Sequence, residues 1–170
     1  MLTQERVRAL LDYDSESGQM FYKKGAGRGR PTNKPAGWRS SQGYKMVLID
    51  GKNYRMHRVI WLYVYGYLPE QIDHVNHVRH DNRLCNLRAA TNATNHMNRP
   101  MQANNTSGVV GVYWFKRDKK WDAQIKINGK NVYIGRFANK EDAVAARKQA
   151  EIDFGFHANH GKKQGDIAHA

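Results

Sequence analysis

Residues 71–98 concentrate side chains that could act together on a phosphodiester. Ile72-Asp73-His74 sets a carboxylate beside an imidazole on a short strand. Asn86 follows thirteen residues after Asp73, and Asn95 twenty-two after it, in a helical stretch that starts at Thr91. Phosphodiester hydrolysis needs a divalent cation to stabilise the departing oxygen, a base to deprotonate water, and positive charge to hold the phosphates. Asp and Asn oxygens are hard ligands that suit Mg²⁺ or Mn²⁺, and an imidazole titrating near neutrality suits the base. Neighbours on a strand face opposite ways, so Asp73 and His74 could serve one ion only at a bent or terminal position.

Taken singly, each of these residues has a plainer reading. Asp73 could cap a turn, His74 could be a packed or surface histidine, and Asn82 and Asn86 are residues that tight loops use for side-chain to backbone bonds. Asn92, Asn95 and Asn98 share one helix face and could simply be solvated. The four-position spacing is what singles out a site. His77, His80 and His96 fit phosphate contact or solvent better than metal binding, while His57 and Arg58 could reach DNA or pack beside the site. Cys85, between Leu84 and Asn86, reads as a small buried apolar residue.

Several short elements must position this cluster. Thr3 can cap a helix with Val7, Leu10 and Leu11 on one face. Residues 14–18 read as a turn before a strand over 19–24, and residues 25–35 as loop. Strands over 44–49 and 53–57 flank the tight Asp50-Gly51 turn, and a helix runs from His57 to Tyr65, ending near Gly66. Polar residues 99–107 form a hinge. Beyond it, 109–116, 121–128 and 131–137 read as three strands, with an Asn128-Gly129 hairpin signal, and 140–154 as a helix carrying Ala143, Val144, Ala146 and Ala150 on one face. The stretch from His157 is expected to fray.

On the middle strand Trp121, Ala123, Ile125 and Ile127 alternate toward the helix, with Val112 and Trp114 inward on the first strand and Val132 and Ile134 on the third. The open face then gathers Tyr113, Phe115, Arg117, Gln124, Lys126 and Tyr133, aromatics interleaved with donors and cations. Such a face suits contact with DNA grooves or phosphates, unless another domain covers it.

Composition bounds these readings. The 170 residues include 28 Lys and Arg against 15 Asp and Glu, a net charge of +13. Hydrophobic residues make up 40%, which excludes a wholly disordered basic tail. One cysteine excludes an internal disulfide framework and a four-cysteine zinc site. The longest apolar run, residues 59–65, is far short of the roughly 18 to 20 residues of a membrane span, and no apolar signal region opens the chain. A reducing, cytoplasmic compartment, no membrane and a polyanionic partner are expected. Residues 17–49 hold no acid but seven cations, and both halves of the chain are basic. Mixed signs are usual for mere solvation, so contact with a nucleic-acid phosphate backbone is expected. Lys23, Lys24, Arg28, Arg30, Arg39, Arg58 and Arg83 are the candidate contacts.

The string HRVIWLYVYG…IDHVNHVRHDNRLCNLRAATNATNHMNR resembles the HNH endonuclease family in its phage homing-endonuclease branch, at least over residues 53–99. The helix–hairpin lead-in from residue 2 resembles that branch's N-terminal extension. The resemblance implies an α+β fold with a ββα-metal module and one divalent ion per active site. Asp73 and Asn95 would be metal ligands, His74 the general base, and Asn86 the residue that ties down the loop and orients His74. Asn95 stands where many members have His, a variant that favours Mg²⁺ or Mn²⁺ over zinc. His77 stands where relatives often have Gly. The substrate would be double-stranded DNA, nicked or cleaved to leave 5′-phosphate and 3′-hydroxyl ends, and the host cell would be bacterial.

Residues 107–155 resemble the AP2 DNA-binding domain along the three strands and the Ala-rich helix. Plant members read DNA with arginines on the first strand, where this chain has Tyr113 and Phe115, so a different or looser specificity is implied. The expected organisation is an endonuclease domain over 1–100, a linker over 101–107, an AP2-like domain over 108–156 and a tail over 157–170, with a monomer favoured. A non-catalytic DNA-binding regulator is the alternative, against which the intact Asp73, His74, Asn86 and Asn95 argue. RNA binding is weaker still, since neither half has RNP-type aromatic signatures.

Overall fold

Short strands closed by tight turns, rather than one large sheet, organise the chain. The computed structural model describes residues 1–26 and 29–162, so Arg28 lies outside the described residues. Contacts divide the chain into two units, Met1–Thr91 and Asn92–Ala170.

In the first unit, α1 (Gln4–Leu10) starts at Thr3, whose hydroxyl accepts the Arg6 N–H at 3.2 Å. Next comes a hairpin of β1 (Leu11–Asp14) and β2 (Gln19–Tyr22), with Leu11 opposite Tyr22. The three-stranded sheet β3 (Trp38–Arg39), β4 (Lys45–Ile49) and β5 (Lys52–Arg55) follows. Its β4–β5 turn holds Asp50 and Gly51 at φ 48° and 75°, the paired positive values a type I′ hairpin requires. Helix α2 (Met56–Tyr65) ends at Gly66 in the left-handed region.

The core of this unit joins Val7, Leu11, Met20, Val47 and Ile49 to the α2 residues Met56, Val59 and Ile60. Each such side chain contributes roughly 1.5–3 kcal/mol by leaving water. After α2, β6 (Gln71–His74) pairs antiparallel with β7 (Leu87–Ala90), a 3-10 turn at Leu84–Asn86 leading into β7. Helix α3 (Asn92–His96) is next in the chain and opens the second unit.

Strands β1, β3 and β7 were not expected; β3 is only two residues long, and each takes its order from pairing with its neighbour. Cys85 is exposed rather than buried. Successive residues of a 3-10 turn point about 120° apart; Asn86 is buried and Leu84 half-buried, which leaves Cys85 facing outward.

The second unit has the expected strand–strand–strand–helix order: β8 (Val112–Phe115), β9 (Lys120–Ile127), β10 (Lys130–Phe137) and α4 (Lys140–Asp153). β9 lies between the other two strands, and α4 packs on β9 and β10 around Val112, Ala123 and Ala143. Two residues expected in the core are exposed. Trp114 is at the sheet's end, edge-on to Trp121 at 5.3 Å, and Val132 precedes a register shift between Tyr133 and Gly135 that disrupts the inward alternation of β10.

On α4 the buried positions include Arg147 and Glu151 as well as the expected alanines Ala143 and Ala150. The segment 157–162 is not frayed: the His157 and Gly161 N–H groups donate to the Met97 and Arg99 carbonyls at 3.1 and 2.9 Å. The same bonds anchor the start of the expected hinge.

Gly18 couples the first hairpin to the chemistry-bearing loop. Its φ is +68°, and a Cβ there would lie 2.5 Å from the Arg83 backbone nitrogen. Gly18→Ala should therefore lower the unfolding free energy by about 2 kcal/mol or more, whereas Gly51→Ala, with the same φ strain but open space, should cost only about 1–2 kcal/mol. Urea unfolding of the two variants checks the difference.

Candidate functional site

The loop from residue 75 to residue 86 closes on itself before it presents anything. The Asn86 Oδ1 accepts the Asn76 N–H at 2.9 Å, and its Nδ2 donates to the Asp81 carbonyl at 2.7 Å. The Asn76 amide donates to Asp81 at 2.8 Å, and Arg83 reaches both Asp81 oxygens at 2.9 and 2.8 Å. These charge-assisted bonds, Arg83 above all, hold the Asp81 carboxyl down at about 2. His77 takes a positive φ of 62° at the turn where the resemblance favoured glycine.

The closed loop aims Asn82 at His74. Their side chains meet at 3.0 Å, Nε2 to Oδ1. Asn82 is fully buried and its backbone carbonyl accepts the Tyr13 hydroxyl at 2.9 Å, so the first hairpin braces it. With Oδ1 facing the ring, Asn82 favours the neutral tautomer that carries its proton on Nε2. Asn86 thus ties down the loop as the resemblance implied, while the direct bond to His74 comes from Asn82.

Asp73 and His74 end β6 and are both buried, at the terminal position where two strand neighbours can turn to one site. Opposite Asp73 in the strand register stands Arg88, whose Nε and Nη2 donate to Oδ2 at 3.1 and 2.8 Å. Around His74 pack His57, edge-on at 5.0 Å, and Tyr44 at 6.1 Å. Tyr44 in turn carries the exposed guanidinium groups of Arg55 and Arg79 at 4.5 and 5.1 Å. Burial pushes the His74 imidazole down, against the opposing pull of Asn82 and Asp73, and pushes His57 down to about 3. A neutral imidazole at neutral pH, as a base requires, is the result.

Asn95 lies on α3, in the second unit. Among the described residues no three His, Cys, Asp or Glu side chains gather as a metal cluster; an Asp-with-Asn ligand set is a different chemistry from that.

The expected DNA contacts fall into two groups. Lys24 and Arg39 are exposed and Arg58 half-buried. Lys23 pairs with Asp12 at 3.2 Å, Arg30 lies over Tyr22 and donates to the Leu48 carbonyl, and Arg83 is bound to Asp81. In the second unit, the strand register sets Tyr113 opposite Asp122 and Tyr133 opposite Gln124. Tyr113, Tyr133, Arg117 and Lys126 are exposed, and Gln124 and Phe115 half-buried. Arg136, which the sequence did not single out, clamps buried Asp122 at 2.6 and 2.8 Å, also pairs with Asp118, and covers the Phe115 ring at 4.1 Å. Sequence reasoning likewise missed Tyr44, Arg55, Arg79 and the role of Arg88. The signal for Arg88 was present, since its register partner is fixed once Asp73 is on a strand.

Burying a neutral His57 makes stability depend on pH. The group's folded value lies below its unfolded value, so its contribution is complete above about 6.5 and is lost toward about 3 as the unfolded chain takes up the proton. Unfolding free energy should fall with acidification by up to about 1.4 kcal/mol per pH unit for this group. In His57→Gln the slope between pH 6 and 5 should flatten by that amount, as read from urea midpoints.

Comparison with known proteins supports an HNH-type domain in the chain. The family model for HNH endonucleases matches residues 54–97, from β5 through α2, β6 and β7 to the end of α3. No curated protein and no solved structure matches the chain.

Proposed function

We propose that the protein is a metal-dependent DNA endonuclease of the homing type, with His74 as the general base. The observation that carries this reading is the buried, loop-braced pair Asp73–His74 at a strand end, inside the segment that matches the HNH endonuclease family. The donor chemistry fits a hard cation: a carboxylate at Asp73 and an amide oxygen at Asn95 are oxygen ligands of the kind Mg²⁺ and Mn²⁺ take. When bound, such an ion would stabilise the negative charge that develops on the departing oxygen.

The chain's own residues would do the rest. Asn82 holds the His74 ring in place, and the neutral imidazole would take the proton of an attacking water. Arg88 compensates the Asp73 charge and limits the turn of its carboxylate. Lys24, Arg39, Arg55 and Arg79 offer exposed positive charge for phosphates. The sheet of the second unit, on the AP2-like reading, would add contacts through Tyr113, Arg117, Lys126 and Tyr133 and spread recognition over a longer duplex. Phage origin and a single-site monomer belong to the same reading.

The test is nicking of supercoiled plasmid with Mg²⁺, with and without chelator. His74→Ala should lower the rate by about 10²–10⁴-fold while duplex binding survives. Asn82→Ala should lower it by a smaller factor. Equal cleavage by wild type and His74→Ala removes His74 from the mechanism. Tight, selective duplex binding without metal-dependent cleavage would favour the non-catalytic regulator.

A further inference from the structure

A second site lies within residues 92–162. A cavity of about 350 Å³ opens there, of the size that takes small ligands. Its wall includes Arg99, Lys126 and Arg147 but no carboxylate-bearing residue, and Met97, Val110 and Phe156 supply an apolar side.

Arg147 is the reason to look for a ligand. The residue is only 2% exposed, and its Nε and Nη1 have no hydrogen-bond partner. Its Nη1 lies 3.1 Å from a Glu151 oxygen, but the other oxygen of that carboxylate is bound to Lys148 at 2.7 Å. Two cations thus share one anion, leaving a net positive charge beside the cavity. The Arg147 Nη2 meets the His160 ring at 3.4 Å, and burying the remaining donors stays unfavourable unless an acceptor arrives. The surrounding backbone makes room for it: a Cβ on Gly111 would lie 2.6 Å from the Arg147 Nε.

We infer that this cavity binds a nucleotide through its terminal phosphate, with the phosphate on Arg147 and Lys126 and the base along the apolar wall at Phe156. Three cationic side chains without a carboxylate among them select a doubly charged phosphate monoester, and the apolar side selects an attached ring over bare phosphate. The monoester could be a free nucleotide or the phosphorylated end of a DNA strand. No residue assigned to hydrolysis lines the cavity, and Lys126 alone is shared with the proposed duplex contacts, so the Arg147 variant separates the two readings.

The test titrates the full chain with 5′-dAMP, deoxyadenosine and inorganic phosphate by calorimetry. Saturable dAMP binding tighter than about 1 mM is expected, with deoxyadenosine and phosphate each at least about tenfold weaker. Lys126→Glu, on an exposed residue, and Arg147→Met, checked for folding by circular dichroism, should each weaken dAMP about tenfold or more. Lys130→Glu, exposed and outside the cavity, should leave it unchanged. Competition by 5′-phosphorylated but not 5′-hydroxyl oligonucleotide identifies a strand end; its failure identifies the free nucleotide. No saturation by dAMP, equal binding of phosphate, or indifference to both Lys126→Glu and a folded Arg147→Met overturns the inference.

Discussion

The closure of the 75–86 loop by Asn86 is the constraint from which the first unit's chemistry follows. One primary amide accepts from the Asn76 N–H and donates to the Asp81 carbonyl, converting a polar, glycine-free loop into a rigid frame. Asp81, pinned by Arg83 and Asn76, supplies the second cross-brace. Asn82 then has little freedom left, and its bond fixes the His74 ring. Apolar packing alone does not close this loop, since its Val75, Val78 and Leu84 are each only half-buried. Buried polar networks of this kind are unforgiving: a single missing partner leaves several groups unsatisfied at once.

That frame is braced from elements distant in sequence. Tyr13 reaches the Asn82 carbonyl, Gly18 lets the hairpin approach Arg83, and α2 delivers His57 edge-on to His74. The lead-in before residue 53 is therefore part of the site's scaffold, which gives a physical reason for the first ninety-one residues to form one contact unit. The second unit achieves rigidity differently, through a sheet whose outward side is clamped by Arg136 between Asp118 and Asp122.

Much of this was legible in the sequence wherever period and turn chemistry agreed. The Asp50-Gly51 and Asn128-Gly129 turns, α2 with its terminal Gly66, and β9 with its alternating residues lie close to their expected positions. Two-residue β3 was not legible, because so short a strand exists only through pairing with β4. Trp114 and Val132 misled because strict alternation ignores sheet ends and bulges. At the site, Asp73, His74 and Asn86 stood out by type and spacing. Tyr44, Arg55 and Arg79 did not, since Tyr44 meets His74, and the two arginines meet Tyr44, only once the β4–β5 sheet and the 75–86 loop are in place. Asn82 was read only as a loop former, and no local pattern could show which of two nearby asparagines would face the imidazole.

The exposed Cys85 has a practical consequence. It is the chain's one thiol, it adjoins Asn86, and its side chain points to solvent. A fluorophore or spin label placed there by ordinary maleimide chemistry would sit on the loop frame itself without any residue having been changed. Such a probe would report whether the frame stays closed as the protein meets a duplex, giving a direct spectroscopic view of a segment whose other reporters are all engaged in holding it together.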